Sequence, residues 1–470
     1  MAEPTPPAPI HIRTRQRRPF DDPRTAALEA LNRLNRGDGT LDAILDELAP
    51  MTGKLSHRDR ALFNQLVYGV IRWRLRLDSL IAAYTVRSLN NVSPPILNIL
   101  RTGVYQLLFM DRIPPSAAVN TAVNLVRYIG AANAAGFVNA VLRNVIREPD
   151  RFDLPDAVGA PIDHLAISES IPHWLIERWI ERMGFAETRR LCRAVNAIPP
   201  ITLRCNRLKN NPAELLRALA DQADRVEVLD DLPDAIDLAR PHCAISSMQA
   251  FLEGRFAVQD GGAQLVSMLL APQPGEMVLD ACAGLGGKTT HLAQLMNNQG
   301  SLIAMDNVSG KLTSIDKEAR RLGVSIIRTR HADLNRPIAS TTPDRFDRVL
   351  LDAPCSGLGV LRRNPDAKWS ARKRDLTRFS RRQTRFLDHV APLVKIDGIL
   401  VFAVCSMEPE ENERVIETFL KKHPNFVISG SRAINEKWVL PFMGEDGFLR
   451  TVPHIHRMDG FFAARLKRTS

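Results

Sequence analysis

The stretch Met277-Val-Leu-Asp-Ala-Cys-Ala-Gly-Leu-Gly-Gly-Lys-Thr-Thr290 sets the reading of the whole chain. An apolar run ends in an acid, passes through a glycine-rich turn and enters a helix-like segment, the order of a strand, a ligand loop and a helix. Glycines let backbone pass close to a ligand, and a helix start offers free N–H groups. A nucleotide-like ligand fits that turn. Two common phosphate cradles do not: a Walker A loop needs glycine where Cys282 stands, and a dinucleotide fingerprint beginning at Gly284 needs glycine at Thr289.

Outward from that turn, strand-like runs recur at Leu302–Asp306, Ser325–Thr329, Arg348–Ala353 and Ile399–Cys405, with helical segments between them. The alternation predicts a parallel, doubly wound α/β sheet over residues 250–470. Such sheets bind ligands beyond the carboxyl ends of their strands, so the residues just past each strand carry the function. Asp306 closes the second strand, where an acid can hydrogen-bond both ribose hydroxyls of a nucleoside. Asp333 follows the third and can meet an adenine edge. Each acid alone reads as a loop cap or a solvated charge. Together they favour an adenosine-containing cofactor that needs no pyrophosphate site, namely S-adenosylmethionine.

After the fourth strand comes Asp352-Ala-Pro-Cys-Ser-Gly357, and after the fifth Cys405-Ser406. A lone buried cysteine is commonly just a small hydrophobe. Two of them at one sheet edge, beside a cofactor loop and the Asp352 carboxylate, point to pyrimidine chemistry. Carbon 5 of cytosine is a poor nucleophile, but a thiolate added to carbon 6 makes an enamine whose carbon 5 attacks a sulfonium methyl group. A second group must then remove the carbon 5 proton so that the thiolate leaves.

The rest of the 470 residues divides by pattern. Residues 1–22 read as a disordered basic arm, rich in proline and arginine, with no apolar region that could serve as a secretory signal. Residues 23–150 carry apolar positions at three-to-four spacing and form an all-α bundle with scattered basic residues, among them Arg58, Arg60, Arg72, Arg74, Arg76, Arg101 and Arg112. Residues 151–249 read as a small α+β connector, with a helix over Trp174–Val195 and β-like runs at Ile201–Cys205, Val226–Leu229 and Ala235–Leu238.

No apolar run approaches the length of a membrane span, and the six cysteines contain no C-x-x-C pair. A cytoplasmic, reducing setting without membrane or metal partners is expected. The net charge of +11 suits a polyanion. Most of it is local: from Arg362 to Arg385 ten basic residues meet two acids, for +8. Leu376, Phe379, Gln383 and Phe386 recur there at helical spacing, so an amphipathic helix with a solvated basic face is the plain reading.

These motifs together resemble the RNA 5-methylcytosine methyltransferases of the Sun/RsmB type. The resemblance rests on Asp280-Ala-Cys-Ala with Gly286-Gly-Lys-Thr-Thr-His291, on Asp352-Ala-Pro-Cys-Ser-Gly357 with Leu361-Arg-Arg-Asn-Pro-Asp-Ala-Lys-Trp369, and on Cys405-Ser406 with Glu408-Pro-Glu-Glu-Asn-Glu413. The N-terminal region is similar to the NusB-like domain of those enzymes in Arg101-Thr-Gly-Val-Tyr-Gln-Leu-Leu-Phe-Met110 and Gly136-Phe-Val-Asn-Ala-Val-Leu-Arg143, and the ending Asp459-Gly-Phe-Phe-Ala-Ala-Arg465 fits too.

The resemblance implies a multidomain chain: an all-α NusB-like domain, a small α+β connector and a Rossmann-like methyltransferase domain. It implies a cofactor site of Cys282, Ala283, Gly284, Leu285, Gly286, Gly287 and Lys288 with Asp306, Asp333 and Asp352, and a catalytic set of Cys405 as nucleophile, Cys355 as the cysteine that assists release, and Asp352. The implied substrate is a cytosine in 16S ribosomal RNA, taken before the small subunit is fully assembled. The chain departs from the family pattern at Gly284-Leu285, where Ala-Pro is usual, and at Val404, where threonine is usual.

With that function, Arg362, Arg363, Arg372, Lys373 and Arg374 become candidates for RNA phosphates, since the segment starts just after the Cys355 motif. The same chemistry on transfer RNA or another RNA, and a non-catalytic RNA-binding or assembly factor, are the competing readings. Retention of both cysteines, Asp352 and the Gly-Gly-Lys turn weighs against the second.

Overall fold

The apolar spacing of the N-terminal third folds as helices because one stripe of each must leave water. The computed structural model describes residues 20–86, 88–338, 345–430 and 437–470, so the basic arm expected at 1–22 lies, up to residue 19, outside the described residues. The chain separates into two units that meet at Ser170 and Ile171. In the first, eight α-helices run over Pro23–Arg36, Leu41–Thr52, His57–Arg72, Arg74–Ala83, Pro94–Phe109, Pro115–Tyr128, Ala135–Arg147 and Pro161–Ser168. Asp22, Thr40 and Ser56 cap three of them by accepting free backbone N–H groups of the first turn. Gly69 lets the third helix close on Tyr105: a Cβ there would stand 2.1 Å from the ring.

Two arginines counted among the scattered basic residues are part of this core. Arg101 is buried and forms a two-pronged ion pair with Asp78, at 2.6 and 2.8 Å, and Arg72 is buried as well. The helix Pro161–Ser168 belongs to this unit too. Leu165 is buried and Ser170 Oγ accepts from the backbone N–H of Leu75 at 2.9 Å, which draws 151–170 to the bundle rather than to the connector.

In the second unit the helix His173–Asn196 is broken at Gly184, whose φ of 78° leaves the helical region. Four antiparallel strands follow: β1 (Ile201–Cys205), β2 (Ala223–Val228), β3 (Ala235–Pro241) and β4 (Phe256–Val258), in the order β2-β3-β1-β4. The sheet of the connector thus reaches beyond residue 249, because β4 pairs with β1 and buries Phe256.

The large sheet contains β5 (Met277–Asp280), β6 (Ser301–Asp306), β7 (Ile327–His331), β8 (Phe346–Asp352), β9 (Val394–Val404), β10 (Phe426–Ile428) and β12 (Phe461–Arg468), in the order β10-β12-β9-β8-β5-β6-β7, with β11 (Phe448–Thr451) paired to β12. Strands β5 to β9 are parallel, as the alternation predicted. The sheet is nevertheless mixed: β12 runs antiparallel to β9, and β10 and β11 run antiparallel to β12. Helices cover both faces of the parallel part, so consecutive residues of one strand enter opposite cores. Leu279, Leu351 and Phe402 pack on one side, and Val278, Leu350 and Val401 on the other.

Candidate active site

Strand β5 is the switch point of the sheet, with β6 on one side and β8 on the other, and the crevice opens beyond their carboxyl ends. The glycine turn fills that place. Gly284 has φ +58° with open space where a side chain would begin. Gly286 has φ +87°, and a Cβ there would sit 2.8 Å from Ile315. The departure at Gly284-Leu285 therefore uses a backbone conformation that glycine permits, and it leaves Leu285 exposed. Ala283 anchors the turn by donating its N–H to Met305 O at 2.8 Å.

Asp306, nearly buried at the end of β6, accepts from the Gly284 N–H at 3.0 Å and the Val308 N–H at 2.9 Å. A carboxylate so held still has lone pairs for a hydroxyl ligand. Asp333 lies two residues beyond β7 and is exposed. Hydrogen bonds from the Asn335 backbone and side chain hold it below the usual carboxylate range. The turn, Asp306 and Asp333 stand past three neighbouring strands, an arrangement that fits an adenosyl group with its ribose toward Asp306. Among the described residues no cluster of His, Cys, Asp and Glu is placed to hold a metal ion.

Lys288 leaves the turn toward β8 and places Nζ 2.6 Å from Asp352 Oδ2 and 5.0 Å from the Phe461 ring centre. Burial would lower its ionisation, but the Asp352 carboxylate, helped by Cys405, raises it above the ordinary lysine value. Cys282 is a different case. Burial pushes its thiol well above the usual range, and its side chain packs against the sheet core, so it lines the turn as a hydrophobe.

Beyond β8 and β9 the two remaining candidates meet: Cys355 Sγ and Cys405 Sγ are 3.1 Å apart. The register explains this, because Asp352 is opposite Ala403 and the two loops leave adjacent strand ends. The Cys355 loop is also tied to its neighbour by the Gly359 N–H, which donates to Cys405 O at 2.9 Å. The hydrogen bond with Cys405, then burial and the charges of Cys405 and Glu411, hold the Cys355 thiol well above its ordinary range. Val404 is buried in the core on the face of β9 opposite to that of Cys405, in the cluster against which Cys355 packs.

The basic segment divides in two. Arg362 and Arg363, expected at phosphates, are instead held in ion pairs: Arg362 with Asp459 at 3.1 Å, Arg363 with Asp459 at 2.8 Å and with Asp260 at 2.9 Å. Arg362 is buried, so it is part of the frame rather than the RNA surface. Arg372, Lys373 and Arg374 are exposed at the start of the helix Lys373–Val390, which buries Leu376, Gln383 and Phe386 as its spacing predicted. Arg374, Arg378, Arg381, Arg382 and Arg385 line, with Asn335 and Thr377, an open groove of about 380 Å³. Asn335 places that groove two residues from Asp333.

Other contributors were not legible as site residues. Arg204 of β1, fully buried, donates to Gly287 O at 2.7 Å and Thr290 Oγ1 at 3.0 Å, so the connector sheet supports the glycine turn. Glu408 accepts from Arg178 Nε at 2.8 Å and Trp179 Nε1 at 3.0 Å. Glu411 is bonded to both cysteine loops.

Comparison with known proteins gives three matches along the chain. A profile described as 16S rRNA methyltransferase RsmB/F matches residues 267–467, one for the NusB family residues 21–147, and one for the ferredoxin-like domain of RsmF/B-like methyltransferases residues 171–246. A probable ribosomal RNA small subunit methyltransferase B of Bacillus subtilis is 36% identical over 450 residues, covering 95% of this chain and 98% of that protein. A protein of the same description from Synechocystis is 36% identical over 455 residues, covering 95% and 99%. The crystal structure of PH0851 superposes with a TM-score of 0.79 at 27% identity, over 96% of this chain and all of that one. NSun6 of Pyrococcus horikoshii, at 20% identity and a TM-score of 0.57 over 64% of this chain and 99% of that one, shares the fold.

Proposed function

This chain belongs to the 16S rRNA methyltransferase RsmB/F family, an rRNA methyltransferase that forms 5-methylcytosine, and we propose that it uses S-adenosylmethionine on a cytosine of 16S RNA before the small subunit is complete. The observation that carries this reading is the pair of thiols 3.1 Å apart, next to the Lys288–Asp352 pair and the glycine turn. When bound, S-adenosylmethionine supplies an electrophilic methyl group on a sulfonium centre. Gly284 and Gly286 shape its turn, Asp306 takes the ribose hydroxyls and Asp333 the adenine edge.

The protein's own residues divide the remaining work. Cys405 Sγ adds to carbon 6 of the cytosine, which makes carbon 5 nucleophilic. Electron density then builds up on the ring, near the half-buried Lys288 ammonium that Asp352 keeps charged. Cys355 keeps its proton through this step, because its hydrogen bond with Cys405, its burial and the nearby charges all raise its pKa. After methylation the carbon 5 proton passes to a solvent base, its bonding pair becomes the carbon 5–carbon 6 double bond, and the bond from carbon 6 to sulfur breaks onto Cys405, whose departing thiolate accepts a hydrogen bond from the Cys355 S–H.

The RNA backbone follows the groove of Arg374, Arg378, Arg381 and Arg385, while selection of the base rests on the pocket. The target must be unstacked to reach Cys405, which favours an accessible base in immature RNA. Bisulfite sequencing of RNA from cells with and without the protein tests the reading. Loss of one 16S signal supports it. Loss of a transfer RNA signal instead would move the substrate, and no change would remove the activity.

A further inference from the structure

Reaction at the thiols needs two side chains, on two loops, held together to within a fraction of an ångström. The backbone supplies one tie, from the Gly359 N–H to Cys405 O, but both cysteines lie past the last ladder residues of β8 and β9. Between the loops stands Glu411, wholly buried. Its Oε1 accepts from the Ser356 N–H at 2.8 Å and the Gln383 amide at 3.1 Å. Its Oε2 accepts from the Ser356 hydroxyl at 2.5 Å and the Ser406 hydroxyl at 2.6 Å. Ser356 is the residue after Cys355, and Ser406 the residue after Cys405. Gln383, from the basic helix, also donates to Pro354 O at 3.1 Å, the residue before Cys355.

We propose that Glu411 is the positioning residue of this enzyme: one carboxylate that clamps the Cys355 loop, the Cys405 loop and the basic helix in a single register, so that both thiols address the same cytosine. The proposal rests on the two-thiol reading above and deepens it. Four donors occupy the four lone-pair positions of the carboxylate, which leaves none to take a proton from substrate. Glu411 therefore acts through its neighbours and not on the ring. Burial raises its pKa above the usual carboxylate range, and the hydrogen bonds from Ser356, Ser406 and Gln383 oppose that rise. The clamp also joins chemistry to RNA contact, because the helix that presents Arg378, Arg381 and Arg385 outward presents Gln383 inward to Glu411.

The test has two readouts, and the first follows the thiols directly and needs no RNA. Diamide removes one hydrogen from each of two thiols, becoming the hydrazine and leaving a disulfide, at a rate set by how often the two sulfurs meet. In the full-length wild-type protein it should link Cys355 to Cys405 rapidly, as read by alkylation and mass spectrometry. Glu411→Ala should slow that link and lower the single-turnover rate of methyl transfer by about 100-fold, the scale of an ångström of misplacement, while S-adenosylmethionine affinity holds. Glu411→Gln should restore most of both, since its oxygen can still accept from the Ser356 N–H and Gln383 while its NH₂ group donates to the two serine hydroxyls.

If Glu411→Ala does not fold, the Ser356→Ala/Ser406→Ala double variant decides, because it cuts the hydroxyl links and keeps the buried carboxylate with its amide donors. A wild-type protein that never forms the Cys355–Cys405 link would overturn the proposal. So would a variant in which only one of the two rates falls, or in which neither does. Because the link is read without RNA, failure of the clamp is distinguishable from failure of the substrate assignment.

Discussion

The two halves of the basic segment read alike in sequence and do opposite things in the structure. Arg362 and Arg363 turn inward onto Asp260 and Asp459, acids about 100 residues away on either side. Twelve positions on, Arg374 begins a run that turns outward into a groove, where among the described residues only Arg378 has an ion pair, with Asp375 at 3.4 Å. The difference is one of desolvation. A buried guanidinium stays only where acceptors meet it, here the carboxylates of Asp260 and Asp459, whereas a solvated one is free for phosphate. Charge density along a sequence therefore locates a polyanion surface only after the buried share has been subtracted.

The largest expected effect sharpens that comparison from the inside. Arg362→Ala should cost about 3–5 kcal/mol of folding stability, because Asp459 and Asp260 lose a partner while buried. Denaturant unfolding measures it, and a loss below about 0.5 kcal/mol would place Arg362 with the surface arginines.

From the outside, replacing Arg378, Arg381 and Arg385 by alanine should leave stability within about 0.5 kcal/mol. It should weaken RNA binding broadly and reduce the slope of log affinity against log salt by about two, roughly 0.7 for each lost single-strand contact. An unchanged slope would return this face to a merely solvated helix. The Arg372, Lys373 and Arg374 triple should act more weakly, since of these only Arg374 lines the groove.

A further effect, read in pH dependence rather than at one pH, concerns a buried acid whose partner is neutral. Asp280 ends β5 fully buried, accepts from Thr289 Oγ1 at 2.7 Å and has no partner at Oδ1. Burial raises its pKa from 3.8 to about 7. The native state then binds more protons than the unfolded chain between those values, so stability should fall as pH rises from 3.8 to about 7 and level above. Asp280→Asn should flatten that slope in a series of thermal melts. A slope equal to wild type would mean that Asp280 is ionised in the fold at neutral pH.

Much of this was written in the chain. The strand-end places of the glycine turn, Asp306, Asp352 and the two cysteines were legible because acids and glycines marked the ends of the strands. The antiparallel edge was not. Strands β10 to β12 are apolar runs of three to eight residues, and strand direction depends on partners distant in sequence. β4 was hidden for the same reason: three residues that become a strand only against β1. Glu411 sits in Glu408-Pro-Glu-Glu-Asn-Glu413, a run of acids that reads as solvated, and nothing local says which is buried under two serines. Arg204 alternates with Leu203 and Cys205 as a solvent-facing residue would, yet its solvent is the glycine turn.

The central claim is the division of labour between Cys405 and Cys355, and denaturing electrophoresis after incubation with RNA and S-adenosylmethionine tests it most directly. With Cys405→Ala no methyl transfer and no covalent protein–RNA adduct should form, because no thiolate reaches carbon 6. With Cys355→Ala attack and methylation should proceed while release stalls, leaving an adduct that survives denaturation. A stable adduct in Cys405→Ala with none in Cys355→Ala would contradict the account and reverse the two roles.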